Sequence, residues 1–493
     1  MLKCPGLTVI VLPFCLMPVF ANAQWTEPVR ITQNVGFLSP RIKAVGDTLH
    51  VVVSGDTRIY YLRSNDGGET WTDPICPADT LYASRIPDIA YSNGKLHLVF
   101  KGYPEPGEHH LFYTSSTDGG VSWGDLRQIS SISGAFQSIR LVACGDTLFV
   151  CHKGGGVALQ VFRSLDGGLT WNNGTYAEEA GSIGIGNHPN ITYSLGRVHL
   201  VYPIADNEDT TAWEIGYRYS DDLSETWSQR VYISTPEHWS EYKDSQSPCV
   251  CAGEDGNILA FWFDYKYGSE CGVSGDILGR VSRDNGDSWG DEVRLTSTQT
   301  GVFSACAIAG DEWYAIWMDY VVFGCARSTL MYSRSEDQGV TWTEPDVIYG
   351  PVQRTEGIPH VTVVSHNGGR IVHCVFNAAY DDEFQWVFYT KSSPPTGIEV
   401  IDTPCVPSRI ELSAYPNPFN ATSVIRYTLP NASSVVVEVY DILGRKVKTL
   451  LDAEQQAGNH SVEWNARDCP SGLYFYRIQA GEYAETRKMV LLK

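Results

Sequence analysis

The chain has little positive charge. Lys and Arg total 36 against 57 Asp and Glu, a formal net charge of −21, so its long-range field repels nucleic acid and anionic membrane surfaces. Long apolar runs are missing after the first two dozen residues, and no later stretch suffices to span a bilayer. Helical periodicity is almost absent, which points to an all-β chain. None of the 13 cysteines stands in a Cys-x-x-Cys pair, which argues against zinc and leaves the metal ligand set empty. Asp206-Asn207-Glu208-Asp209 and Asp381-Asp382-Glu383 lack EF-hand spacing; they read as solvated charge, with Ca²⁺ as the alternative.

The chain opens with an export signal over residues 1–23. Lys3 supplies the positive start, Leu7 to Phe20 the apolar stretch, and Ala21-Asn22-Ala23 a small-x-small cleavage site before Gln24. Cys15 follows Phe14, a poor match to a lipoprotein box. Removing Cys4 and Cys15 leaves eleven cysteines, an odd number, so at least one thiol stays free or pairs between chains. Cys271 and Cys325 stand in equivalent loops and are the first candidates for a disulfide, whereas Cys249 and Cys251, two apart, suit core packing.

One eight-residue motif, Ser-x-Asp-x-Gly-x-Thr/Ser-Trp, recurs six times, centred on Asp66, Asp118, Asp166, Asp222, Asp284 and Asp337 at spacings of 52, 48, 56, 62 and 53 residues. Each residue type suits a hairpin turn. The carboxylate accepts bonds from turn amides, the glycine supplies positive φ, and the hydroxyls add local bonds. The tryptophan opens the next strand and is expected to bury its ring between modules. Six copies of one site point to structural clasps rather than catalysis. The fourth copy carries Ser224 in place of the glycine and is expected to be remodelled. Repeats of this period indicate propeller blades. The motif resembles the Asp box, or BNR repeat, of the sialidase superfamily and of other β-propellers.

Each module reads as three apolar strands, the turn, and a fourth strand. The second strand aligns seven times, from Leu49–Val53 and Leu96–Phe100 through to Val372–Phe376. The seventh module stops at Ser392-Ser393, while Trp25-Thr26-Glu27-Pro28 duplicates Trp342-Thr343-Glu344-Pro345. The N-terminal strand is therefore expected to complete the last blade. This gives seven blades over residues 24–393, with six blades and an irregular segment as the alternative. His50, His97, His199 and His373 share one position of the second strand, which argues for packing.

A linker spans residues 394–410, and residues 411–493 read as a small β-sandwich. Tyr415-Pro416-Asn417-Pro418-Phe419-Asn420, Tyr440-Asp441 with Gly444-Arg445, Gly472-Leu473-Tyr474-Phe475-Tyr476 and the basic Arg487-Lys488 near the end closely resemble the C-terminal sorting domain of bacterial type IX secretion, similar to FlgD-like immunoglobulin folds. The resemblance implies handling by that machinery and release, or attachment at the cell surface of a Gram-negative-type bacterium.

The loops at the end opposite the turns are the longest and are the expected binding face. There Trp239, Tyr242, Tyr265, Tyr267 and Tyr380 lie beside carboxylates, a mixture that suits sugar rings. The sialidase resemblance implies three carboxylate-binding arginines, an acid, and a tyrosine paired with glutamate. Arg85-Ile86-Pro87 matches the family's first arginine motif. Glu105 and Glu108 stand where its acid is expected, though the family uses aspartate, and Arg327, Arg354 and Glu356 are further candidates. A proline recurs at the same place in Pro40, Pro189, Pro248 and Pro359, so only Arg85 of that motif is informative.

The leading expectation is a secreted, sorted β-propeller that recognises extracellular glycan or protein through its long-loop face. Exo-sialidase or other glycoside hydrolase chemistry is the alternative, and a structural cell-surface role is the third. Deleting Glu411 to Lys493 is expected to leave a folded protein retained inside the outer membrane. Surface delivery of the truncated chain in a type IX-competent host contradicts this.

Overall fold

The computed structural model describes residues 25–492 apart from 33–37, 56, 131–136, 154–157, 179–184, 187, 206–212, 236–244, 269–273, 322–326, 354–356, 367–368, 380–384, 393–411, 416–418, 430–431, 456–457, 468 and 482. The export segment, the linker, Cys271, Cys325 and both acidic runs lie outside the described residues. Among the described residues every regular element is a β-strand.

The repeat sets the topology. In the second module Ala83–Ser92, Lys95–Tyr103, His110–Ser116 and Arg127–Gln128 pair as an antiparallel meander. The second strand is buried on both faces, which is why it reads as a continuous apolar run rather than an alternating one. The first strands of the modules are Leu38–Val45, Ala83–Ser92, Gln137–Cys144, Asn190–Ser194, Ser245–Ala252, Gly301–Ala309 and His360–His366. They touch in succession, and His360–His366 returns to Leu38–Val45, so the circle closes around an axial channel. Val29–Arg30 pairs with Gln385–Lys391, placing Val29 opposite Tyr389, and thus completes the last sheet from the other end of the chain. The two meanders between Gly301 and Lys391 share one wide sheet, joined where Gln353 faces Ala379.

In all six turns the aspartate is fully engaged locally. Asp166 Oδ1 accepts from Ser164 Oγ at 2.8 Å and from the Thr170 amide at 2.9 Å, while Oδ2 accepts from the Thr170 hydroxyl. The same bonds recur at Asp66, Asp118, Asp222, Asp284 and Asp337. The Thr70 and Thr341 hydroxyls and amides hold Asp66 and Asp337 down to about 2. Three local bonds thus tie each carboxylate into its own turn.

Neighbouring modules are joined by a relay. His50, His97, His199 and His373 each place Nδ1 2.7–2.8 Å from the hydroxyl of Tyr61, Tyr113, Tyr217 or Tyr389. Tyr61, Tyr113 and Tyr389 in turn donate to the carbonyls of Gly119, Gly167 and Gly67, in the turn of the next module. One hydroxyl proton serves one acceptor, so where Tyr61 and Tyr389 donate to glycine carbonyls the neutral imidazoles of His50 and His373 donate to the tyrosine oxygen through Nδ1. Burial lowers His50, His97 and His199 to about 4, in keeping with that state. The turn tryptophans sit edge-on to the same rings: Trp123 on Tyr61 at 5.1 Å, Trp171 on Tyr113 at 5.4 Å and Trp71 on Tyr389 at 5.1 Å. Trp123 and Trp171 are half-buried rather than enclosed, because their outer edges reach solvent.

The fourth turn is not remodelled. Ser224 keeps the amide bond to Ser220 Oγ at 2.8 Å and adopts φ of 68°. A Cβ on Gly168, its counterpart in the third turn, would lie 2.1 Å from the Tyr113 ring. The preceding module of the fourth turn carries Val161 where Tyr61, Tyr113, Tyr217 and Tyr389 stand elsewhere, and the missing ring leaves room for the serine.

The second unit, residues 367–369 and 398–493, packs two antiparallel sheets on one core that includes Phe419, Trp464, Tyr474 and Met489.

Two outcomes follow from the relay and the turns. Gly168→Ser should cost about 1–3 kcal/mol by overpacking Tyr113, whereas Ser224→Gly should be neutral or stabilise by up to about 1 kcal/mol by relieving left-handed strain. Equal effects in denaturant unfolding contradict the coupling to position 161. The unfolded chain protonates these histidines near 6.5 and the native relay resists until about 4. Stability should therefore fall as pH drops through that window, and the triple substitution of His50, His97 and His199 by Phe should flatten the slope of melting temperature against pH.

Candidate functional site

The turns and the loops between first and second strands occupy one end of each antiparallel meander, so the longer loops share the other end. The best-built feature at that long-loop end lies in the fifth module. Asp276 opens the strand Asp276–Ser282 opposite Asp264 and is fully buried. Its Oδ2 accepts Arg294 Nη2 at 2.5 Å and Nε at 3.0 Å, and its Oδ1 accepts Thr296 Oγ1 at 3.1 Å and the Gln299 amide at 2.9 Å. This two-pronged hold fixes the guanidinium plane.

The Arg294 guanidinium lies 3.8 Å from the centroid of the Tyr267 ring. Gln299 Nε2 donates to the Tyr267 carbonyl at 2.5 Å, and Lys266, paired with Glu292, stands 5.2 Å from the same ring. Tyr267 nevertheless keeps 40% of its surface exposed. Asp276, Arg294 and Tyr267 therefore form a stack that rises from the buried core to an open aromatic face. A ring backed by a guanidinium and presented to solvent suits stacking on the apolar face of a sugar.

Two more carboxyls flank the stack. Asp264 accepts from Ser245 Oγ at 2.7 Å, Trp262 Nε1 at 3.1 Å and the Lys266 amide at 2.8 Å, yet burial pushes its pKa up. Asp319, opposite Gly301, accepts from Thr300 Oγ1 at 2.9 Å. Burial lifts it to about 6, the Thr300 bond working against the shift and the Asp276 charge adding to it. Among the described residues no group of acidic, histidine or cysteine side chains has the arrangement of a metal site.

Of the residues singled out in the sequence, Tyr267 stands at this platform. Tyr265 does not present a face: it is buried with its ring 5.6 Å from Phe263, because the two-residue alternation that exposes Tyr267 is broken by the turn between them. Arg85 is exposed opposite Lys101 in the second module, and Arg327 is exposed opposite Val321 in the sixth. Glu105 and Glu108 are exposed in one turn, closed by the Glu108 amide on the Glu105 carbonyl at 3.2 Å. Arg354, Glu356, Trp239, Tyr242 and Tyr380 lie outside the described residues.

Ile86 has φ of 55° at a bulge, and Ser39, Ser138, His188, Ser247 and Phe303 repeat that conformation at the same place in other modules. Ile86-Pro87 is thus repeat geometry. Asp276 and Arg294 carry no motif; their one signal in the sequence is an aspartate standing first in an otherwise apolar strand.

Because the native carboxyl of Asp319 titrates near 6 and the unfolded one near 3.8, its ionisation in the fold costs stability increasingly from pH 3.8 to 6. Asp319→Asn should accordingly raise the melting temperature at pH 7.5 more than at pH 4.5. A gain independent of pH contradicts the burial assignment.

Residues 413–492 match the family described as secretion system C-terminal sorting domain, which marks the chain for type IX secretion and a place outside the cell or on its surface. No curated protein matches the chain. Among solved structures, polysaccharide lyase Uly1 shares 11% identity over 75% of this chain and 99% of its own, with a TM-score of 0.50. An ulvan lyase of family PL25 shares 11% over 73% of this chain and 95% of its own, also at 0.50. The NanB sialidase of Streptococcus pneumoniae shares 14% over 77% and 71%, at 0.40. At these identities the two lyases indicate a β-propeller fold and nothing of its chemistry.

Proposed function

We propose that the chain is a secreted Asp-box β-propeller of seven blades over residues 24–393, joined to an immunoglobulin-like sorting domain over 411–493, that recognises extracellular glycan, free or on glycoprotein, through its long-loop end. The closed circle of first strands and the strand added by Val29–Arg30 support the blade count. The observation that carries the functional reading is the exposed Tyr267 ring, held from behind by Arg294 on the buried Asp276. The two similar structures are polysaccharide lyases by name, which agrees with a glycan ligand.

A second reading, cleavage of that glycan, draws on Asp319. A carboxyl that titrates near 6 is half-protonated where a general acid works best at mildly acidic pH.

A glycan array probed with the full chain should identify a polysaccharide ligand, and Tyr267→Ala should weaken it about tenfold, or about 1.4 kcal/mol, with little change in melting temperature. Absence of any glycan ligand, or equal binding by Tyr267→Ala, sinks the recognition reading. Product release that disappears in Asp319→Asn converts the binder into an enzyme.

A further inference from the structure

Each first strand sends one residue into the axial channel near its start, and in six of the seven strands that residue stands two positions after a left-handed one. Those residues are Arg41, Asp88, Arg140, Asn190, Cys249, Ala305 and His360, and all line one cavity of about 280 Å³. The repeat fixes their backbone, so their side chains are free to differ, and two of them are guanidiniums in a protein of net charge −21.

Among the described residues the charges in this channel do not balance. Arg41 is 3% exposed and Arg140 8%, and Lys43 points into the same cavity. The opposing carboxylate is Asp88, 3.9 Å from Arg41 Nε. Asp88 is already engaged by the Leu141 amide at 2.8 Å and the Ile89 amide at 2.9 Å. Arg41 Nη1 donates to the Pro40 carbonyl and Arg140 Nη1 to the Ile139 carbonyl, each at 2.9 Å, and Arg41 Nε is buried without a hydrogen-bond partner. His360 Nδ1 accepts from the Ile42 amide at 3.2 Å, which leaves its Nε2 as a donor. Burial and then Arg140 pull Arg41 down to about 9, the signature of cations lacking a counter-charge. Isolated buried charges of one sign cost several kcal/mol each unless paired.

We propose that the axial channel is an anion site, in which Arg41, Arg140 and Lys43 hold one compact oxyanion, a sulfate, phosphate or carboxylate group. Arg41, whose Nε has no hydrogen-bond partner, and the neighbouring Arg140 suit such groups because a guanidinium's planar fork matches two oxygens at once. Lys43, Asn190 and His360 keep part of their surface open to the cavity. This site is separate from Tyr267 and stands whether or not the glycan reading holds.

The test is thermal unfolding of the full chain against sodium sulfate, and in parallel against glucuronate, with ionic strength held constant by NaCl. Saturable stabilisation is expected, with half-saturation displaced at least tenfold in both Arg140→Gln and Lys43→Gln. In sulfate-free buffer neither variant should melt below wild type, since each relieves repulsion; a purely structural arginine would lower it. Saturation by sulfate identifies a free ion, and saturation by glucuronate alone identifies a carboxylate carried on a sugar. No saturable effect of either anion on wild type, or half-saturation unchanged from wild type in either variant, overturns the proposal.

Discussion

Everything in the propeller depends on how one module grips the next. Apart from short backbone contacts, Gln353 with Ala379 and Gly275 with Gly301, neighbouring sheets have no ladder between them, so most of the joint comes from side chains. At three joints the His–Tyr–Gly relay supplies it with directional bonds, and the turn tryptophan covers the same tyrosine. The bond from Tyr389 to the Gly67 carbonyl joins the last module to the first, so the ring closes by the interaction that builds it. The joint also explains how Ser224 can replace the turn glycine, since Val161 stands where a tyrosine ring would otherwise fill that space.

This grip lies at the end of the molecule that carries the turns. The consequence is a division between the two ends. At the turn end, aspartates, hydroxyls and amides satisfy one another within eight residues, leaving little for a ligand to displace. At the long-loop end, buried carboxylates are tied to groups that reach the surface, as Asp276 is to Arg294 and through it to Tyr267. A rigid base beneath exposed chemistry is what a recognition face requires.

Much of this was legible in the sequence because repetition separates scaffold from site. Six turns, the aligned second strands and a histidine recurring four times at one register all carried structural meaning, and the histidines proved to pair with tyrosines. What repetition hid was equally consistent. Arg41 and Arg140 follow the bulge that also follows Arg85, and the recurring proline drew attention to the backbone rather than to the residue after it. Tyr265 and Tyr267 look equivalent at a spacing of two, yet a turn sends one inward and one out. The tie between Asp276 and Arg294 spans 18 residues and two strands with no pattern to announce it. The arginines implied by the sialidase resemblance stand on separate modules where they are described, on the second and the sixth.

The central claim is that ligand is held at the long-loop end against the free face of Tyr267. A crystal structure of the protein soaked with an oligosaccharide it binds tests this most directly. The account predicts a sugar ring stacked on Tyr267, on the side away from Arg294. A sugar bound at the turn end, or one that leaves Tyr267 uncovered, would contradict it.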